Sequence, residues 1–85
     1  MSVEIEKEIE KEYKHLNPAV RVNMSGDFIN VKITLYESMD DASISAVVIS
    51  DIIKRIIGKN VKVASCFMAI ERKGVTFYIF YKVGE

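Results

Sequence analysis

Apolar residues recur along this chain in two rhythms, one near 3.6 residues and one of two, and the rhythms alternate. In residues 2–16, "SVEIEKEIEKEYKHL", Ile5, Ile9, Tyr13 and Leu16 stand four, four and three apart, the spacing of one helical stripe on an otherwise charged segment. Ser2 suits the cap of this helix, Glu4 and Glu6 the positive end of its dipole, and Lys14 and His15 the negative end. Asn17-Pro18 stops it. The rhythm then becomes two. Val20, Val22 and Met24 alternate with Arg21 and Asn23, Ser25-Gly26-Asp27 reads as a turn, and Ile29, Val31, Ile33 and Leu35 return between Asn30, Lys32 and Thr34. This first hairpin has one dry face and one wet face.

The helical rhythm comes back in residues 38–58, "SMDDASISAVVISDIIKRIIG". Ile44, Val48 and Ile52 form one row, widened by Val47, Ile49, Ile53, Ile56 and Ile57, so burial over much of the circumference is expected. Ser38, Asp40 and Asp41 are its candidate caps, Lys54 and Arg55 suit its last turns, and Gly58 ends it. Residues 60–83, "NVKVASCFMAIERKGVTFYIFYKV", predict two strands joined at Glu71-Arg72-Lys73-Gly74. Strict alternation places Val61, Val63, Phe67 and Ala69 on one face with Val75, Phe77, Ile79 and Tyr81. Ala64, Cys66, Met68 and Ile70 then share the other face with Tyr78 and Phe80. Both faces of this second hairpin are apolar.

The pattern predicts an α+β domain over residues 1–85. It is a two-layer α/β sandwich in the order α-β-β-α-β-β, with a four-stranded, mostly antiparallel sheet and both helices on one face. Helices on one face leave the other side of the second hairpin bare. The expected contact surface is Ala64, Cys66, Met68, Ile70, Tyr78 and Phe80, and the expected occupant is a second copy of the chain, giving a homodimer.

Composition narrows the function classes. Eighty-five residues make one small domain, and 12 basic against 12 acidic side chains leave a net charge of +0, so the total charge draws the protein to neither nucleic acid nor anionic lipid. The apolar stretches are too short for a membrane span and the N-terminus is charged, and one cysteine fits a reducing compartment; a cytoplasmic protein is expected. Reactive clusters are missing. His15 stands alone, Cys66 falls mid-strand where a packed thiol is the default, the four glycines form no phosphate loop, and Asp40-Asp41 reads as capping. No catalytic, cofactor or metal residue is predicted. The leading reading is a non-catalytic, self-associating interaction or scaffold module, with a small enzyme whose site forms only at a dimer cleft as a remote third.

Nucleic-acid binding is the second reading. Its candidate contacts are Lys54, Arg55, Lys59, Lys62, Arg72 and Lys73, and Tyr78 and Phe80 are placed to stack on bases. On the face predicted above, however, those aromatics have few cationic neighbours. "IIGKN", residues 56–60, resembles the start of a KH-domain loop but lacks its second glycine.

The element order, with "FMAIERKGVTFYIFYKVGE" at residues 67–85, resembles the roadblock family of small dimeric scaffolds. That resemblance implies a homodimer or heterodimer serving as a platform for small GTPases, motors or related assemblies, and it carries over no binding residue. The strand, the helix "ISAVVISDIIKRII" and the two strands within residues 31–83 also resemble the later part of Alba-type chromatin proteins. This second resemblance implies a dimer that binds DNA or RNA through basic residues. Only Arg72 and Lys73, in the short "ERKG" arm, match that family's basic hairpin, and its early lysine-rich loop is lacking.

Overall fold

The computed structural model describes residues 1–36 and 44–84 and has the expected order of elements. Helix α1 (Ser2–Glu12) gives way at Tyr13 to a 3-10 turn, Lys14–Leu16, so the expected helix tightens over its final residues. Asn17 then adopts a left-handed conformation, φ 50°, ahead of Pro18. Met1, not Ser2, occupies the cap position, and no side chain caps α1. Ser2 already lies inside the first turn.

Strands β1 (Ala19–Ser25) and β2 (Phe28–Leu35) pair antiparallel from Ala19↔Thr34 to Ser25↔Phe28. The connecting loop is two residues, Gly26 and Asp27, and Gly26 takes the positive φ that such loops favour. Helix α2 (Ala46–Ile57) is shorter than expected: its cap is Ser45, whose side chain accepts the Val48 N–H at 3.3 Å. Gly58, φ 70°, closes the other end by donating its N–H to the Lys54 carbonyl. The earlier candidate caps Ser38, Asp40 and Asp41 lie outside the described residues. Ile49, Ile52 and Ile53 are buried, whereas Val47 and Val48 are exposed, so the apolar stripe of α2 is only partly covered.

Strands β3 (Val61–Glu71) and β4 (Gly74–Val83) complete one antiparallel sheet of order β1-β2-β4-β3. The second hairpin is therefore asymmetric. β4 lies inside the sheet, which accounts for its apolar run, and β3 forms an edge. Both helices pack on one face, where Ile5, Ile9, Ile49 and Ile53 meet Ile29, Val31, Ile33, Ile79 and Tyr81 in a single core. Full burial of each such side chain stabilises the fold by about 1.5–3 kcal/mol relative to exposure.

Alternation breaks once, in β3. Val63 stands opposite Tyr81 and Ser65 opposite Phe80, so Ala64 is an extra residue, a β-bulge. Beyond it the faces exchange. Cys66, Met68 and Ile70 stand opposite Ile79, Phe77 and Val75 on the helix side, while Ser65, Phe67 and Ala69 stand opposite Phe80, Tyr78 and Thr76 on the open side. The expectation that Cys66, Met68 and Ile70 share a face with Tyr78 and Phe80 is corrected by this single inserted residue, as is the placement of Phe67 and Ala69 toward the core.

Two tyrosines fix the start of α2. The Tyr13 hydroxyl accepts the Ser45 N–H at 3.0 Å, and the Tyr81 hydroxyl donates to the Ala46 carbonyl at 2.6 Å. One anchor comes from the end of α1 and the other from β4, so the helix layer and the sheet are locked together at that point. Burial, reinforced by the neighbouring Cys66 and Tyr13, pushes the Tyr81 phenol well above its ordinary pKa.

Candidate functional site

The open face of the sheet, opposite the helices, is built from the alternate positions of all four strands. At its centre Phe67 lies between two rings of β4, stacked on Tyr78 at 4.8 Å and 18° and on Phe80 at 5.9 Å and 22°. Cross-strand pairing produces this cluster: Phe67 is directly opposite Tyr78 and one pleat from Phe80. Phe28 adds a fourth ring beside it, opposite Lys82 and 45% exposed.

Cations surround the rings. Lys32 is opposite Tyr78 on β2 and holds its ammonium 5.8 Å from the ring centroid, within cation–π range. Arg21 stands opposite Lys32 on β1, and Lys62 stands opposite Lys82 at the far end of β3. Among the described strand residues of this face the one carboxylate is Glu71, and it is engaged: Thr76 Oγ1 donates to Glu71 Oε1 at 3.2 Å. Since Thr76 has one hydroxyl proton, the 3.3 Å contact between Thr34 Oγ1 and Thr76 Oγ1 runs with Thr34 as donor. The helices carry mixed charge, with Glu4, Glu6, Glu8, Glu10 and Glu12 beside Lys7 and Lys11 on α1 and Asp51 beside Lys54 and Arg55 on α2. The open sheet face is net cationic in a chain of net charge +0.

At the end of the face nearest the β3–β4 turn, an open cleft of about 460 Å³ is lined by Lys32, Thr34, Tyr36, Glu71, Arg72, Lys73, Gly74 and Thr76. Gly74 makes its wall possible, because a Cβ there would overlap the Leu35 carbonyl oxygen and its own φ is 156°. Three cations, Lys32, Arg72 and Lys73, line this cleft beside the Glu71 carboxylate, while the hydroxyl protons of Thr34 and Thr76 are committed to Thr76 and Glu71.

The residues singled out in the sequence fall into separate places. Tyr78 and Phe80 are on the open face; Cys66, Met68 and Ile70 are on the helix side of the edge strand; Ala64 is the bulge. Cys66 is exposed rather than packed, because β3 has no neighbour on its outer side. Of the candidate nucleic-acid contacts, Lys62 is on the open face and Arg72 and Lys73 line the cleft, whereas Lys54 and Arg55 belong to α2 in the other layer. Lys59 lies after α2, near Gly26 and Asp27. Sequence reasoning missed Phe28, Lys32, Phe67, Lys82 and Arg21 as members of one surface. Their outward parity on β1, β2 and β4 was legible, but joining them required the strand order and the bulge.

The two sheet edges are finished differently. On β1, the outward N–H of Val22 is taken by Glu6 Oε2 at 2.8 Å, so α1 covers that edge. On β3, Val63, Phe67, Met68 and Ile70 are 44–65% exposed. No group of three or more His, Cys, Asp or Glu side chains able to hold a metal occurs among the described residues, and no helix described is long and apolar enough to cross a membrane. No family model matches the chain, and neither the curated proteins nor the solved structures include a significant match.

Proposed function

We propose that the open sheet face binds single-stranded nucleic acid, with Phe67, Tyr78 and Phe80 stacking on unpaired bases and Arg21, Lys32, Lys62 and Lys82 neutralising phosphates. The supporting observation is an aromatic cluster, Phe67 exposed and Tyr78 and Phe80 half-buried, inside a frame of cations on a face whose one strand carboxylate is tied to Thr76. Sheet-borne aromatics of this kind accept any base, because every base has a π-face, and each stacked base contributes about 1–3 kcal/mol. The cleft at the β3–β4 turn, with Arg72 and Lys73, extends the phosphate track beyond the sheet. Zero net charge does not oppose this reading, since fields beyond about 10 Å are screened at ordinary salt and the local frame decides. A second copy laid face to face would instead set one ring of cations against another. The Alba-type resemblance points the same way.

Fluorescence anisotropy of a labelled oligo-U or oligo-dT strand tests the proposal. Binding is expected to weaken steeply with salt, and Lys82→Ala should lower the slope of log K against log salt by about 0.7 for a single strand. Tyr78→Ala should weaken binding about tenfold with the circular dichroism spectrum unchanged. Lack of any salt-sensitive binding at low ionic strength would refute it.

A non-catalytic interaction or scaffold module, self-associating and possessing no chemistry of its own, is the second reading. The uncovered edge of β3 favours it, and the roadblock resemblance implies the same class. For either reading we infer a cytoplasmic setting, where the exposed thiol of Cys66 stays reduced.

A further inference from the structure

We propose that two copies of this chain join through β3, edge to edge and antiparallel, about a twofold axis at Phe67, making one continuous sheet across the dimer. The inference does not depend on nucleic-acid binding.

The backbone supplies the first argument. Val83 N–H donates to the Asp27 carbonyl at 2.7 Å and Gly84 N–H to the Asn60 carbonyl at 3.0 Å, which fixes the alternation of bonded and non-bonded pairs in both ladders of β4. Lys62, Ser65, Phe67 and Ala69 therefore exchange their hydrogen bonds with β4. Val63, Cys66, Met68 and Ile70 turn their N–H and C=O groups outward, along an edge that no described element covers. The opposite edge is blocked by Glu6 at Val22. A long edge with exposed apolar side chains on both faces is a template for another strand.

Side-chain order supplies the second argument and selects the partner. The β4 partners of Lys62, Ser65, Phe67, Ala69 and Glu71 are Lys82, Phe80, Tyr78, Thr76 and Gly74, stepping by two throughout, so the bulge leaves these five open-face positions evenly spaced. Reversed about Phe67, the row matches itself. Lys62 meets Glu71 of the second copy at each end, Ser65 meets Ala69, and Phe67 meets Phe67. On the helix side Val63 meets Ile70 and Cys66 meets Met68, apolar against apolar. These are the residues with outward backbone groups, so the same register yields about eight intermolecular hydrogen bonds. A register centred one residue away, on Met68, leaves Lys62 without its carboxylate partner and pairs Phe67 with Ala69.

Sedimentation equilibrium in the absence of nucleic acid provides the test. The wild type is expected to be a dimer. Met68→Pro removes an outward N–H that β4 does not use, so it should abolish dimerisation while the circular dichroism spectrum stays native. Lys62→Glu and Glu71→Lys should each weaken association by about tenfold, and the double exchange should restore it. In a Cys66→Ser background, Phe67→Cys treated with the thiol oxidant diamide should form a covalent dimer, because a non-bonded pair on the axis has the Cα separation a disulfide needs. A wild type that stays monomeric at high micromolar concentration would overturn the proposal. So would a dimer that survives Met68→Pro and ignores the charge exchange.

Discussion

Tyr81 shows how much of the fold can depend on one polar atom. Its ring is fully buried in β4, yet its hydroxyl reaches the first carbonyl of α2, so one side chain satisfies a buried donor and positions a helix. Replacing it with Phe keeps the ring and leaves the Ala46 carbonyl without that donor. The expected loss is about 1–2 kcal/mol in urea denaturation. The hydroxyl also carries a pH dependence. In the unfolded chain the phenol titrates near its ordinary value of about 10, whereas burial raises it in the folded protein. Above that ordinary value the unfolded state releases a proton that the native state retains, so stability is complete below about pH 10 and falls as pH rises past it. Tyr81→Phe should flatten this alkaline decline, which thermal melts across pH 9 to 11 would register; an unchanged slope would assign the decline to other groups.

Among the elements, β3 decides the surfaces of the molecule. The helices and the first hairpin were legible because their apolar spacing is local: Ile5, Ile9 and Tyr13 at helical intervals, and Val20 through Leu35 in strict alternation. The end of α1 and the start of α2 were less so. Ser45 competes with earlier polar residues as a cap, and tertiary bonds from Tyr13 and Tyr81 decide where the helix begins. The bulge at Ala64 was misread for a related reason. Both parities of "VKVASCFMAI" are apolar, so alternation alone permits either phase, and the choice is made by pairing with β4. Its one local sign is the small pair Ala64-Ser65 between two apolar runs. Deleting Ala64 should then be tolerated. It removes the extra residue, so Val61 still faces the core and Phe67 still stands opposite Tyr78, now in unbroken alternation. We expect a change within about 1 kcal/mol in urea denaturation, with the near-ultraviolet dichroism of the aromatic cluster retained; a much larger loss would show that the local twist of the bulge is itself required.

At the scale of the whole molecule, one core must hold both helices to the sheet, because neither helix is long enough to persist alone. α1 has 11 residues and α2 has 12, below the length at which isolated helices are stable in water. Their helicity is therefore borrowed from the sheet. β4 carries that coupling: Ile79 lies at its middle, flanked by Val31 on one side and Cys66 on the other, and is 1% exposed. Ile79→Ala removes methyl groups from the centre of the β2–β4 ladder that joins the two hairpins, and should cost about 2–5 kcal/mol, a large part of the roughly 5–10 kcal/mol available to a domain of this size. Far-ultraviolet dichroism reports the helices and tyrosine fluorescence reports the sheet and its anchors. The two probes should give the same urea midpoint in the wild type and shift together in Ile79→Ala, since both helices share one core with the sheet. If instead the helical signal outlasted the tyrosine signal, the layers would be separately stable, and the open face would have to be regarded as a surface whose scaffold can open beneath it.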